Sequence, residues 1–272
     1  MSKRRRFGAR SDRDKSGRAF FNIAVLIAFL AGAGALYYNA DASNPDVDER
    51  TLCPDQPAST TILLVDVTDP MNLPQRQDFH NKFNQLRTSI PRFGKLIVVR
   101  VDPVSTKLLR PIITLCNPGT SDDVSEWTSD KQGVQRTWEE KFAKPLERTF
   151  EELLAASAAT SSPILESIQS VALTDLQAPT ANNHPRHLVV VSDLLQHTPS
   201  ISFYNSIPNA DQLVASEAFS RVRTDLKGID VELWMLERGD FSQTQPRALP
   251  DLWERMIAVQ GGRWKSLRRV SG

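Results

Sequence analysis

Oxygen-bearing side chains follow two apolar runs of this sequence, at the point where each run ends. The run TTILLVD (60–66) leads into Thr68 and Asp69, and the run HLVVVSD (187–193) closes on Asp193. Between the two runs lies Ser162, just before a helical pattern. Carboxylate and hydroxyl oxygens are hard ligands, which suit Mg²⁺, Mn²⁺ or Ca²⁺ better than Zn²⁺. The predicted ligands of such a divalent cation are Asp66, Thr68, Asp69, Ser162 and Asp193.

The same residues also have a structural interpretation that needs no cation. Asp66 and Thr68 would then cap the first helix or shape the turn after the strand, and Asp69 would belong to the same turn. Asp193 would be an ordinary residue at a strand end. Ser162 is expected to cap the helix that starts beside it, whether or not it also binds a cation. The sequence leaves both interpretations open.

The elements that must position these residues follow from the spacing of apolar residues. Short apolar runs predict strands at 60–66, 95–102, 110–116, 187–193 and 230–237, and RWKSLRRV (263–270) fits a short edge strand. Helical patterns between them give the order β-α-β-β-α-α-β-α-β-α. This alternation predicts an α/β fold, with a doubly wound, mostly parallel central sheet. The link between the second and third strands is short, so the third strand is predicted to be antiparallel.

The first 58 residues predict a membrane anchor and a linker. Residues 1–18 hold eight Lys and Arg against two Asp, and residues 19–38 carry no charge. About 20 apolar residues span a bilayer core, and preceding positive charge keeps the N-terminus in the cytoplasm. We therefore expect a cytoplasmic tail (1–18), a transmembrane helix (19–38) and a polar linker (39–58). A cleaved signal peptide is the alternative, because Ala40-Asp41-Ala42 is a loose cleavage site.

The charge distribution argues against a nucleic-acid-binding protein. The formal net charge is +1, and the basic tail contributes +6, so the rest of the chain carries −5. No basic face that would bind a phosphate backbone is evident in the body. The basic residues are better explained by the membrane span that follows them.

Two cysteines, Cys53 and Cys116, are compatible with a disulfide if the body lies outside the cytoplasm. The alternative is two buried free thiols.

The chain resembles the von Willebrand factor A family over residues 60–265. The family pattern is D-x-S-x-S after the first strand, a Thr in a later loop and an Asp after the fourth strand. Asp66 matches the first Asp, Thr68 stands for the first Ser, Ser162 replaces the loop Thr and Asp193 matches the last Asp. Pro70 occupies the second Ser position and offers no side-chain oxygen, so the motif is degenerate. The D-x-T-D-P start with the later C-N-P-G (116–119) is also similar to a group of membrane-anchored bacterial proteins.

The resemblance implies a vWA-like domain at 59–265, followed by a tail at 266–272. In the family the cation keeps one coordination position free, and a carboxylate of a protein partner completes it. We therefore expect a protein-binding face at the carboxyl ends of the strands. The function implied is a scaffold or adaptor in a membrane-associated assembly, with its body extracytoplasmic (periplasmic in a Gram-negative cell).

Two other functions remain open at this point. A metal-dependent phosphoester hydrolase would use Asp66, Asp69 and Asp193, but no His, Lys or Arg is placed by a motif as acid, base or phosphate clamp. A metal-independent structural anchor is favoured by Pro70. A zinc site at His184, His187 and His197 is disfavoured because no cysteine or carboxylate lies at a useful spacing. No nucleophile elbow, P-loop or H-E-x-x-H motif occurs, so the chain is not predicted to be an enzyme.

Overall fold

The structure is a computed structural model that describes residues 21–35, 45–68, 70–103, 108–124, 130–154, 159–177, 184–238 and 245–271. The chain divides into two units, Met1–Asp46 and Val47–Gly272. In the first unit, residues 21–35 form helix α1, and the rest of the predicted span lies outside the described residues. Among the residues that are described, we find no helix with both the length and the apolar character needed to cross a membrane.

The second unit is built on one six-stranded sheet with the strand order β3-β2-β1-β4-β5-β6. Only the β2–β3 pair is antiparallel, and the other neighbouring strands are parallel. The predicted mixed α/β fold with one antiparallel strand is thereby confirmed, and it is consistent with a Rossmann-like or vWA-like architecture. The strands are β1 (Thr60–Val65), β2 (Lys95–Arg100), β3 (Ile113–Cys116), β4 (Arg186–Ser192), β5 (Ile229–Leu236) and β6 (Arg263–Val270). The last strand continues past residue 265, the predicted boundary of the domain.

Helices cover both faces of this sheet, because its central strands are apolar on both sides. All six residues of β1 are buried. One face packs against α2 (Leu73–Ser89) and α4 (Lys144–Leu154). The other packs against four helices: α5 (Ile164–Val171), α6 (Ala210–Val214), α7 (Glu217–Val222) and α8 (Ala248–Val259). These helices bury both faces of the sheet. Polar groups can therefore collect at the two ends of the strands, the amino ends and the carboxyl ends.

A π-helical turn joins two helices on one face of the sheet. Helix α3 (Lys131–Trp138) continues through this turn, Glu139–Ala143, into α4. Within this turn the Lys144 backbone N–H donates to the Glu139 carbonyl, one residue further back than in an α-helix. The next residue, Pro145, has no N–H to donate, so a widened turn at this position accommodates it.

The disulfide joins the segment before β1 to the end of β3. The sulfurs of Cys53 and Cys116 are bonded, with their Cα atoms 4.8 Å apart. Beside it the Cys116 backbone N–H donates to the Thr51 carbonyl at 2.8 Å, and the Ala58 N–H donates to the Phe93 carbonyl at 3.0 Å. Residues 47–58, the second part of the predicted linker, therefore lie against the domain and belong to its unit.

Candidate functional site

The carboxyl ends of β1 and β4 form the point at which the sheet reverses its winding direction. These two strands are neighbours at the centre of the sheet, while the chain connects β1 outward to β2. Doubly wound sheets bind ligands at this position, because the loops leave the two strands in opposite directions. The structure brings Asp66, Thr68, Ser162 and Asp193 to this edge, as the sequence predicts. Asp69 lies outside the described residues.

Asp66 is the centre of a buried hydrogen-bond network. Its side chain is almost wholly buried, with 3% exposure. Oδ1 accepts from the Thr68 backbone N–H at 3.0 Å and from the Thr68 hydroxyl at 2.7 Å. Oδ2 accepts from the hydroxyls of Ser162 at 2.7 Å and Ser192 at 2.9 Å. The carboxyl group therefore collects four donors from three segments of the chain, which ties β1, β4 and the start of α5 together.

Helix caps are made by residues other than those predicted. Asn72 caps α2: its Oδ1 accepts from the Gln75 N–H at 2.8 Å, and the Gln75 side chain accepts from the Asn72 N–H at 3.1 Å. This reciprocal arrangement of Asn72 and Gln75 is a capping box, which satisfies two amides that the helix itself leaves unpaired. Asp66 and Thr68 are thus not the cap of α2, although the Thr68 N–H does form a turn on Asp66.

The predicted capping role of Ser162 is wrong. Its hydroxyl donates to Asp66, and Pro163 stands at the N-cap position of α5 without a side-chain cap bond. The amide of Leu165, near the helix start, donates instead to Oε1 of the fully buried Gln196 at 2.9 Å. The loop after β4 therefore caps α5, which leaves the Ser162 hydroxyl for the network.

Asp193 is held by an arginine that the sequence does not single out. Arg238 follows β5, and its Nε and Nη2 donate to Asp193 Oδ2 at 2.9 and 2.7 Å. The Leu195 backbone N–H donates to Oδ1 at 2.9 Å. Burial raises the pKa of Asp193; Arg238 opposes this shift, and the charge of nearby Asp66 adds to it. The sequence signal that could have identified Arg238 is its position just past β5, because the end of β5 lies at the same edge of the sheet as the end of β4.

Further contacts fix the backbone around this ion pair. Gln245 donates from Nε2 to the carbonyls of Asp193 and Leu236, both at 2.8 Å, and accepts from the Arg238 backbone N–H at 2.9 Å. Leu194 adopts a left-handed conformation with φ of 65°, and its N–H donates to the Ser192 hydroxyl at 2.9 Å. The chain thus turns sharply at the end of β4, so that Ser192 serves the backbone and Asp66 together.

In this arrangement the side-chain oxygens of Asp66, Thr68, Ser162 and Asp193 are engaged in hydrogen bonds within the protein. The hydroxyls of Thr68, Ser162 and Ser192 all point their protons at Asp66, and Arg238 lies on Asp193. Within the described residues no group of three or more His, Cys, Asp and Glu side chains could hold a metal ion. The four predicted ligands that the structure describes, Asp66, Thr68, Ser162 and Asp193, therefore lie in one network, while cation binding by them stays a prediction.

The three histidines considered for zinc serve separate contacts. His184 Nε2 is 2.8 Å from the Thr60 hydroxyl, and His197 Nδ1 is 2.9 Å from the Ser202 hydroxyl. His187 faces Asp230 at 3.8 Å. Burial lowers the pKa of His184, and Lys95 and Arg186 lower it further. The three imidazoles thus contact three different partners.

Large apolar side chains are exposed on segments that leave the same edge of the sheet. Leu73, which begins α2 after β1, is 80% exposed. Leu108, in the connection after β2, is 57% exposed, and Tyr204, in the loop after β4, is 50% exposed. Exposed apolar side chains mark a protein-binding surface where they form one contiguous patch. By contrast, the 340 Å³ cavity lined by Ser59, His187, Asp230 and Lys265 lies at the opposite strand ends.

No protein-family model matches the chain, and no curated protein matches it. Two solved structures have a distant likeness to it. One is an aerotolerance-related membrane protein from Bacteroides fragilis NCTC 9343 with multiple mutations to serines; it is 13% identical, with 77% of this chain and 90% of that chain covered and a TM-score of 0.34. The other is the conserved hypothetical protein BatB from Bacteroides thetaiotaomicron, 12% identical, with 78% and 91% covered and a TM-score of 0.34. A likeness at this level carries no argument about function.

Proposed function

We propose that this chain is a membrane-anchored protein-interaction module that acts as a scaffold or adaptor in a membrane-associated assembly. Its binding face is the edge of the sheet at the carboxyl ends of β1, β2 and β4. The observation that carries this proposal is the exposure of Leu73, Leu108 and Tyr204 on three segments leaving that edge. A protein partner that covers them removes apolar surface from water, which is the main favourable term in association.

The state of the two carboxyl groups supports binding over catalysis. A general acid, base or metal-bound nucleophile needs a side chain that reaches substrate. Asp66 and Asp193 are each 3% exposed, and their oxygens accept hydrogen bonds from neighbouring residues. Their role in the proposal is to hold the ends of β1 and β4 and the start of α5 in place, so that the binding loops have a rigid base.

The anchor and topology are part of the proposal and are supported by the sequence. Residues 19–38 carry no charge, and the preceding basic tail favours a cytoplasmic N-terminus. The body would then lie outside the cytoplasm. A Cys53–Cys116 disulfide agrees with this placement, because such bonds persist in oxidising compartments.

The test is site-specific photo-cross-linking of the full chain in intact membranes. A photoreactive amino acid replaces Leu73 or Tyr204, and the matched controls replace Leu173 or Val259, which are 53% and 44% exposed. We expect a discrete cross-linked product between a partner and the photoreactive residue at position 73 or 204. That partner should no longer co-purify with the double variant L73D/Y204D, while it should still co-purify with L173D/V259D. Equal cross-linking at all four positions, or retention of the partner by L73D/Y204D, would contradict the proposed face.

A further inference from the structure

The ion pair between Arg238 and Asp193 crosses from one strand end to the next. Asp193 follows β4, and Arg238 follows β5, its parallel neighbour. Two guanidinium N–H groups point at a single oxygen, Asp193 Oδ2, at 2.9 and 2.7 Å. The carboxyl group is 3% exposed and the arginine side chain 23% exposed. The positive charge therefore lies directly on Asp193, one of the residues predicted to hold a divalent cation.

Most of the lone pairs of the two carboxyl groups are already in use. A carboxylate offers about four acceptor positions. Asp66 accepts from the Thr68 N–H and from the hydroxyls of Thr68, Ser162 and Ser192. Asp193 accepts from the Leu195 N–H and from two N–H groups of Arg238, with the Ser192 hydroxyl 3.5 Å away. A cation entering here would have to displace donors that the protein itself supplies.

We propose that Arg238 supplies the positive charge that a divalent cation supplies in metal-dependent adhesion sites, and that the edge is complete without a metal ion. A guanidinium remains charged at every physiological pH and cannot be removed by a chelator. Its planar fork also fixes the direction of its donors, whereas a metal ion depends on surrounding oxygens for its position. The ion pair links the end of β4 to the end of β5. Gln245 stabilises it by binding the backbone of Asp193, Leu236 and Arg238.

One consequence concerns regulation, and it rests on the proposed function. A partner that docks at this edge would bind equally well with chelator or with Mg²⁺, Mn²⁺ or Ca²⁺ present. The rest of the inference concerns Arg238 and Asp193 alone, and it holds whether or not a partner is found.

The experiment measures thermal unfolding and Mn²⁺ binding of the purified full chain in detergent. Samples contain chelator, Mg²⁺, Mn²⁺ or Ca²⁺, and Mn²⁺ binding is followed by its electron paramagnetic resonance signal. The proteins are the wild type, R238A, the double variant R238A/D193N, and R255A as a matched control. Arg255 is also an arginine paired with an aspartate, but its partner Asp211 is 79% exposed and lies 3.1 Å away at the surface.

We expect the wild type and R255A to show no cation-dependent change. R238A should unfold at a lower temperature in chelator, because Asp193 is left buried without its partner. It should then gain a Mn²⁺ site and a rise in Tm of roughly 5 °C at a cation concentration about 100-fold above Kd. The rise should vanish in R238A/D193N, which no longer offers the carboxylate.

Two results would overturn the inference. One is Mn²⁺ binding by the wild type that stabilises it and is lost in D193N, since the arginine would then not have replaced the cation. The other is an R238A variant that folds but responds to no cation, since the guanidinium would then not occupy a cation position. If R238A does not fold, R238K retains the charge and takes its place, and we expect it to remain insensitive to cations. Loss of the partner in the cross-linking test would leave all of these results unchanged.

Discussion

Replacement of Asp66 by alanine tests whether the buried network holds this edge of the sheet together. The change removes the acceptor of four hydrogen bonds, of 2.7 to 3.0 Å, from Thr68, Ser162 and Ser192. The hydroxyls can rotate toward other acceptors, but the Thr68 backbone N–H cannot. A buried donor left unsatisfied costs about 1–3 kcal/mol. The backbone N–H and the incomplete recovery of three hydroxyls together give an expected loss of about 3–5 kcal/mol.

The assay is urea-induced unfolding of the purified full chain in detergent, followed by tryptophan fluorescence. Trp234 and Trp253 are buried at 1% and 0% exposure, so their emission reports loss of the core. A loss of about 3–5 kcal/mol lowers the urea midpoint, because the free energy of unfolding falls linearly with urea concentration. The matched control is D211A, because the Asp211 side chain is 79% exposed and a surface change of this kind stays within about 0.5 kcal/mol.

A second variant separates charge and hydrogen bonding from shape. D66N keeps the volume of the side chain but turns one acceptor oxygen into a donor. The hydroxyls of Ser162 and Ser192 can rotate to accept from it, so we expect a smaller loss of about 1–2 kcal/mol. A D66A variant that loses less than about 1 kcal/mol, as D211A does, would refute the argument. The hydrogen bonds on Asp66 would then contribute little to the stability of this edge.

Two further predictions concern other parts of the domain. Burial raises the pKa of Asp230, but hydrogen bonds from Arg263 and Lys265 outweigh it and hold that pKa below its ordinary value of 3.8. The stabilisation is therefore present above pH 3.8 and is lost as the pH falls through the lower pKa of the folded state. D230N should be less stable than wild type at about pH 7. The difference in free energy of unfolding between the two proteins, measured by urea titration, should close below pH 3.8. The double variant C53S/C116S should lose about 4 kcal/mol in the same assay at pH 7, because the bond joins residues 63 positions apart; an unchanged urea midpoint would show that the segment before β1 is held by its other contacts.

The order of strands and helices could be predicted from the sequence because local patterns decide it. All six residues of strand β1 are buried, and the run from Ile62 to Val65 is apolar on both faces, as expected for a sheet that is covered on both sides. The short link before β3 excludes a helical crossover, and the antiparallel β2–β3 pair follows. The meeting of Asp66 and Asp193 is a consequence of this order, since parallel neighbours end at the same edge.

The direction of each hydrogen bond could not be predicted in this way. A serine before a helix has several possible acceptors, and the sequence pattern favours the cap. Ser162 instead donates to Asp66, because Gln196 from the loop after β4 already serves the amide of Leu165. Which acceptor Ser162 takes depends on the donors that the other segments bring. The observed arrangement is the one that gives the whole buried network its lowest free energy.

Local residue patterns are therefore enough to predict an α/β sheet with Asp66 and Asp193 at its central strand ends. The chemistry at that edge depends on contacts between residues that are distant along the chain. Arg238 lies 45 residues from Asp193 along the chain, and the two meet only because β4 and β5 pair in parallel. Burial then makes their pairing obligatory, since neither charge can find an equivalent partner in water once the edge has closed.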